Sequence, residues 1–557
     1  MTETDKFIIP PEKMVFIPLG GSSELGMNLF AYGFKNKWII IDCGIGFPDE
    51  NLPGIEALLP DPAFLSDKKK DILGLFITHA HEDHIGAIPY LWRSLNCPIY
   101  ASAFAKELIE CKLNEVGLLG RVSVNTIQNE DSICVDPFEV ECIAMTHSLP
   151  QAMALAIRTS AGLVVHTGDW KLNKTDTLCE KMDTTKLKEL GKEGVLAMIC
   201  DSTNVLGKAH TNTEEDVRDT LTKLVKKYKG RQIAVGCFAS NVARLESICH
   251  SALMNGLKVC LLGRSLWRID AAARACGYLK NIPEFLSEEE ALEMPIGSVL
   301  YICTGSQGEA HSALRNLAAL QPSKNAVSFT ENDVVIFSSR VIPGNEKAIA
   351  FLQKKLKSKG IKIITSEEEL VHVSGHYSGD DLKKMYQLLK PMIALPVHGD
   401  TRELLAHTEM ALKWGAKFAF ALEEGEVLAL DKTPQILGEV PVGILAVDGK
   451  QVIPLNASVI KKRKKMIDTR PLVATLVIDK KGKLLSAPQI TAFGLLEDVS
   501  GRLEELTNQV TQDIEQTDTK NLQNDEFIIN LTKNSIRKFI DEYYGKKALI
   551  EVHLVRI

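Results

Sequence analysis

Three imidazoles and a carboxylate fall within six positions at His79-Ala-His81-Glu-Asp83-His84. Imidazole nitrogen mixed with carboxylate oxygen suits zinc, with manganese or magnesium as the other divalent candidates. The alternation sends His79 and His81 to one side and leaves Asp83 and His84 on the turn beyond. One cation can take the first pair and a second the next. Glu82 reads as a solvated or supporting residue. A lone His or Asp after a strand is usually a cap or a hydrogen-bond partner, but four ligand-type residues in six positions are a metal motif. Three further residues of the same types end apolar runs far along the chain: His147, Asp169 and His398. His166 and His407 read as ordinary histidines.

Such a set must be carried by strands that end at one place. Short apolar runs that break into polar or Gly-rich residues recur at 38–41, 73–78, 140–145, 163–166 and 195–199, as strands running into loops do. From about 213 the rhythm becomes alternating helix and strand, a doubly wound α/β pattern. Thr213-Glu-Glu-Asp opens its first helix with acidic residues in the first turn. Strands then follow at 233–238, 259–262, 299–303 and 334–337. The basic run Lys461-Lys-Arg-Lys-Lys465 reads as a solvated linker. After it come a hairpin (472–478, a turn near 480–483, then Leu484 onward), two polar helices and a closing strand at 548–557. That last piece has β-β-α-α-β character.

The 557 residues and 61.4 kDa suggest about three domains. With 45% hydrophobic and 24% charged residues the chain is neither disordered nor membrane-like. The net charge of −6 excludes a global basic field, though not a local positive groove. No run of about 18 apolar residues is present to span a bilayer. The polar, acidic start Met1-Thr-Glu-Thr-Asp-Lys argues against a secretory signal. Twelve scattered cysteines without a CxxC pair read as small buried hydrophobes in a reducing cytosol.

On these motifs the chain resembles the metallo-β-lactamase superfamily, its β-CASP nucleases, and within them the bacterial ribonuclease J family. Asp42 in Ile-Asp-Cys-Gly44 matches the aspartate that braces the metal loop. His79, His81, Asp83 and His84 match the second superfamily motif, His147 the third and Asp169 the fourth. Asp201 (Cys-Asp-Ser-Thr-Asn204) matches β-CASP motif A, His376 (His372-Val-Ser-Gly-His) motif B and His398 (Pro-Val-His-Gly399) motif C. The stretches 19–26, 305–309 and 342–346 narrow the resemblance. Asp400 and Ala310 depart from the family's usual Glu and Pro without touching a metal position.

The resemblance implies an α/β metallo-β-lactamase αββα sandwich with an inserted β-CASP α/β domain and a small α+β C-terminal domain. The parts would be residues 1–212 and 361–455 for the lactamase fold, 213–360 for the insertion, and 456–557 for a linker and the last domain. It implies two divalent ions, with zinc first among the candidates. His79, His81 and His147 would hold one, Asp83, His84 and His398 the other, and Asp169 would bridge. Two ions about 3.5–4 Å apart can clamp a phosphodiester through in-line displacement. His376 would face the scissile phosphate from the side opposite the metals, as charge stabiliser or acid, with Asp201 orienting. Substrate would meet Phe238, Ala239, Ser240, Ser306, Gln307, Gly308 and the turn His372, Val373, Ser374, Gly375, His376, where free N–H groups can cradle a terminal phosphate. A structural calcium would use loop carbonyls near Leu52 and Gly54 with Asp448.

The implied activity is 5′→3′ exonucleolytic and endonucleolytic cutting of single-stranded RNA with a 5′-monophosphate, in mRNA decay and rRNA maturation. The setting would be a cytoplasmic homodimer or homotetramer with no membrane partner. The alternatives are a DNA-directed β-CASP nuclease and a metal-binding, non-catalytic subunit of a nuclease complex. Histidine at motif C is the choice typical of RNA-directed members.

Overall fold

The computed structural model describes residues 9–557 apart from 50, 173–177, 208–211, 320–325, 343, 470, 494–500 and 546. The expectation for the N-terminal six residues and part of the 342–346 stretch therefore lie outside the described residues. The chain forms two compact units, one running to Phe47 and again from Ala57 to Leu445, the other made of Pro48–Glu56 with Ala446–Ile557.

The first unit is built on two large sheets. The eight-stranded sheet has Val15–Gly20, Leu29–Phe34, Lys37–Ile41 and Ile72–Phe76 at its centre. The seven-stranded sheet has Ile393–Val397, Val195–Asp201, Gly162–His166, Met153–Thr159 and Phe138–Ala144 in that order. Strand periodicity of two decides how they stack. Met153, Leu155 and Ile157 on one face join Phe16, Phe30, Tyr32, Ile39 and Ile41 in a single core between the sheets. Ala154 and Ala156, on the opposite face of the same strand, pack with residues of the helices Thr184–Glu193 and Gly379–Leu389. The sandwich with outer helices is the expected lactamase architecture.

A third sheet supplies the insertion. Lys258–Leu262, Val299–Cys303, Ile233–Gly236, Val334–Phe337 and Lys362–Ile364 pair in that order, all parallel. Helices cover it as a parallel sheet requires. Thr213 caps the first of them, Glu214–Lys227, with a full capping box to Asp216. Nine of the twelve cysteines are buried in the first unit and none is bonded, as small core residues should be.

In the second unit the strand Pro471–Ile478 pairs antiparallel with Gln489–Ala492 and parallel with Leu549–Arg556. The hairpin partner thus lies later than Leu484, which makes only an isolated bridge to Ile478. Leu472, Ala474, Leu476 and Ile478 bury one strand face against Leu506, Val510, Ile536 and Ile540 of two helices. The basic run expected as a linker is helical instead, within Ser458–Thr469. It contains neither Gly nor Pro, Lys and Arg favour helix, and Ile460 gives it a buried anchor. Among the described residues no helix is long and apolar enough to cross a membrane.

Candidate metal centre

Every one of the seven ligand candidates stands just beyond the carboxyl end of a strand. His79 to His84 follow Ile72–Phe76, His147 follows Phe138–Ala144, Asp169 follows Gly162–His166, and His398 follows Ile393–Val397. The last three of these strands run in one direction within the seven-stranded sheet, and their ends meet the end of Ile72–Phe76 at one edge of the sandwich. Asp83 and His84 lie in the one-turn helix Glu82–Ile85, which starts directly after His81.

The structure divides the candidates into two groups that share Asp169: His79, His81, His147 and Asp169, and Asp83, His84, His398 and Asp169. In the first, His79 Nε2 lies 3.1 Å from His81 Nδ1, which lies 3.2 Å from His147 Nε2. In the second, His84 Nε2 and His398 Nε2 each lie 3.6 Å from Asp83 Oδ2. The same oxygen, Asp169 Oδ2, lies 3.6 Å from His79, 3.5 Å from His84 and 3.4 Å from His398. A tetrahedral ion with bonds of about 2.0–2.1 Å holds its donors about 3.3 Å apart. Neighbouring donors within both groups lie 3.1 to 4.0 Å apart and have that chemistry, so each group would fit a divalent ion, and Asp169 is common to the two.

The outward nitrogens are held by partners that fix how the rings face. His84 Nδ1 lies 2.8 Å from Asp42 Oδ2, and Asp42 also accepts from the Thr78 N–H and hydroxyl at 2.8 Å each. His147 Nδ1 donates to the Gly375 carbonyl at 2.8 Å, leaving Nε2 bare toward the centre. Such outer contacts orient a ligand and raise its basicity. The His398 N–H of the backbone donates to the Gly21 carbonyl at 2.8 Å, which gives the Gly20-Gly-Ser-Ser loop its place in the site. Gly21 has φ +79° and a Cβ there would lie 2.4 Å from Asn28 Oδ1. Asp42 and His398 themselves adopt left-handed φ values of 60° and 56°. Non-glycine residues are rarely held there without a functional reason.

The electrostatics divide the same way. Burial lowers His79, His147 and His81, the last to about 4, and neighbouring imidazoles reinforce it. Burial also opposes charge on His84 and His398, but Asp169 and Asp83 outweigh it, holding His84 well above its ordinary value and His398 at about 9. Asp169 is held well below the usual carboxylate range: burial opposes this, but His398 and His84 prevail. Glu82 takes no part and instead pairs with Lys112 at 2.6 Å. His166 hydrogen-bonds Tyr32, and His407 sits buried between Ser202 and Tyr386.

Asp201 and His376 join the edge of the centre, His376 Nδ1 lying 2.8 Å from Asp201 Oδ2 and 4.0 Å from Asp169 Oδ2. The His376 ring centroid is 5.4 Å from that of His147 and 6.1 Å from that of His398. It therefore adjoins the ligands. The turn that carries it is reached from the sandwich, because Gly375 is the partner of His147. Burial would lower His376, but Asp201 and then Asp169 raise it above an ordinary imidazole.

The expected substrate residues are not equivalent. Phe238, Ala239 and Ser240 are half-buried at the start of the helix Val242–Met254, and Phe238 lies edge-on to His372, 6.4 Å between ring centroids. Val373 is buried, whereas Ser374 and Gly375 are half-buried. His372 Nδ1 accepts from the buried guanidinium of Arg244, which is itself paired with Glu214. Ser306, Gln307 and Gly308 are buried rather than open, and the Gln307 amide is spent on Arg340 and Ile342. The expected calcium position is also corrected. Both oxygens of Asp448 accept from Arg463 at 2.9 and 2.7 Å. A Cβ on Gly54 would lie 3.3 Å from the same guanidinium, and the Leu52 carbonyl accepts from Ile55 at 3.2 Å. A fixed cation of the chain stands where calcium was expected, so these residues do not fit a calcium ion. The sequence assigns no role to Asn204 or Arg340; its signals were that Asn204 ends the motif A stretch and that Arg340 adjoins the 342–346 stretch.

Comparison with known proteins gives this geometry its relatives. The model for the metallo-beta-lactamase superfamily matches residues 28–175, and that for the ribonuclease J beta-CASP domain matches 229–356. The Zn-dependent metallo-hydrolase RNA specificity domain matches 360–418, and the ribonuclease J C-terminal domain 458–557. A ribonuclease J of Sinorhizobium meliloti is 37% identical over 98% of both chains. One from Corynebacterium glutamicum is 34% identical over 97% of this chain and 76% of its own. A solved structure of a protein of unknown function from Enterococcus faecalis V583 shares the fold, with TM-score 0.53 and 18% identity over 75% of this chain and 100% of its own. Similarity of this degree along nearly the whole length places the chain in the ribonuclease J family.

Proposed function

We propose that the chain is a metal-dependent ribonuclease that hydrolyses phosphodiesters of single-stranded RNA. The reading has it cut both from a 5′-monophosphate end and internally, in mRNA decay and rRNA maturation. The observation that carries it is the pair of four-ligand groups sharing Asp169 Oδ2, with Asp201 and His376 against their edge. Two divalent ions, zinc first among the candidates, would supply a nucleophilic oxygen at neutral pH and neutralise charge gathering on the phosphate. His79, His81 and His147 would hold one, and Asp83, His84 and His398 the other.

The chain's own groups do the rest. Asp201 accepts from His376 Nδ1 and raises the ring above an ordinary imidazole, favouring the charged form in which Nε2 has a proton to give to the leaving 3′ oxygen. A positioned acid of this kind is worth about 10²–10⁴-fold in rate. The turn Val373-Ser-Gly-His376, with half-buried Phe238 and Ser240 nearby in the insertion, would seat the 5′ end. A cradle sized for one phosphate would exclude a triphosphate by bulk. The four-part division at 213, 361 and 456, a cytoplasmic setting and an assembly of two or four copies belong to the same reading.

The test is product analysis on matched 5′-monophosphate and 5′-triphosphate RNAs with defined metals. Mononucleotides released faster from the monophosphate, and no cutting after metal removal, are expected. Hydrolysis of neither RNA under any divalent metal would refute the reading.

A further inference from the structure

Arg340 stands beyond the strand Val334–Phe337, with an exposed side chain on a fixed backbone. The buried Gln307 amide clamps that backbone from both sides. Its Nε2 donates to the Arg340 carbonyl at 2.8 Å, and its Oε1 accepts from the Ile342 N–H at 2.9 Å. The guanidinium then reaches from the inserted sheet to the sandwich, where Nη1 donates to Asn204 Oδ1. Asn204 is buried, and its Nδ2 donates to Ser374 Oγ at 2.7 Å. Ser374 Oγ in turn accepts from the His376 N–H at 3.1 Å. Three hydrogen bonds thus connect the cation to the residue beside the metal ligands.

What distinguishes this cation is its missing counter-charge. Arg244, a guanidinium bonded directly to the motif B turn at His372, is fully buried and donates to both oxygens of Glu214. Among the described residues Arg340 has no carboxylate at ion-pair distance, only the neutral oxygen of Asn204. A guanidinium carries five N–H donors in a planar fork. One is used here. A phosphate can take two of the others in parallel and give the cation the opposite charge that the Asn204 amide oxygen lacks.

We propose that Arg340 binds a phosphate of the RNA, and that Asn204 holds its guanidinium in place while the cleft is empty. This rests on the ribonuclease reading. The shared chemistry is a phosphate monoanion or dianion, supplied either by the 5′ terminus or by an internal linkage. Gln307 is then a positioning residue, acting through the backbone it clamps.

The experiment compares the wild type with Arg340→Ala and Arg340→Lys on matched 5′-phosphate and 5′-hydroxyl RNAs across a salt series. Cleavage kinetics and fluorescence anisotropy of the labelled RNAs are read in parallel. Arg340→Ala should raise KM and the dissociation constant by about 10-fold, more than it lowers kcat, and flatten the salt dependence by about 0.7 in log–log slope. Arg340→Lys should restore the slope but only part of the affinity, since it lacks the fork. A larger loss on the 5′-phosphate RNA assigns the terminal phosphate, and equal losses assign an internal one. Unchanged affinity and slope, or a fall in kcat shared by Ala and Lys with the slope intact, would overturn the proposal. A wild type that binds RNA but never cuts it would refute the ribonuclease reading while still testing Arg340. One that binds no RNA would overturn both.

Discussion

The two histidines of motifs B and C are chemically alike but differently employed. His398 directs Nε2 at Asp83 and Asp169, 3.6 and 3.4 Å away. His376 spends Nδ1 on Asp201 and approaches Asp169 only to 4.0 Å. His376→Ala should therefore keep both ions and bind RNA, yet cut about 10²–10⁴-fold more slowly. His398→Ala should lose the second ion. Metal analysis of the two variants beside their turnover decides it: an ion lost from the His376 variant would exchange the assignments. The same residues predict a pH dependence. In metal-free protein His398 is raised to about 9 and His84 is raised as well. Their contribution to stability is complete below the ordinary imidazole value near 6.5 and is lost as pH rises through the folded value. His79, His81 and His147 are shifted the other way, so theirs is complete above that value and lost in acid. As pH rises from 6.5 toward about 9 the raised histidines titrate, His398 and His84 among the ligands and His376 beside them. The melting temperature of metal-free protein should fall across that window, and metal loading at pH 7 should release about two protons, measurable by calorimetry in buffers of different ionisation enthalpy.

Close backbone approaches between elements hold these side chains to their places. The loop after Lys37–Ile41 crosses the loop after Ile72–Phe76 so tightly that a Cβ on Gly44 would stand 1.5 Å from the Asp83 carbonyl oxygen. Cys43 and Ile45 donate their N–H groups to His84 and Glu82 in the same crossing, at 2.7 and 3.0 Å. Gly44→Ala must push the one-turn helix of Asp83 and His84 outward. It should cost about 1–3 kcal/mol of stability as an overpacking change. It should also reduce the metal content to one ion, because His79 and His81 precede that one-turn helix and His147 follows another strand. Normal content with normal activity would show that the crossing tolerates displacement.

Taken over the whole chain, the ligand set belongs to one compact unit. All seven candidates, Asp42, Asp201 and His376 lie between residues 15 and 445, and the second unit contributes none of them. A chain ending at Leu445 should load metal with the same stoichiometry as the full chain, as read by metal analysis after gel filtration. A truncated protein that folds but holds fewer ions would mean that the second unit secures the centre indirectly.

The metal motif at 79–84 was readable because adjacent residues carried it, and the resemblance assigned Asp169 to both ions. The strands, the doubly wound rhythm from about 213 and the helix start at Thr213 were equally readable, because period and helix-start signals are local. Three matters depended on contacts between residues far apart in the chain. Arg463 satisfies the Asp448 carboxylate, so the expected calcium gives way to a guanidinium fifteen positions away. The turn Ser306-Gln307-Gly308, expected to offer free N–H groups to a phosphate, is buried, with the Gln307 N–H given to Glu309 and its side-chain amide to the backbone around Arg340. The Gly375 carbonyl, inconspicuous in a Ser-Gly-His turn, fixes His147 across 228 positions. A residue's type and spacing limit which bonds it can make. Which bond it makes is settled by the partner that packing brings within about 3 Å, since a buried donor or acceptor left unpaired costs about 1–3 kcal/mol.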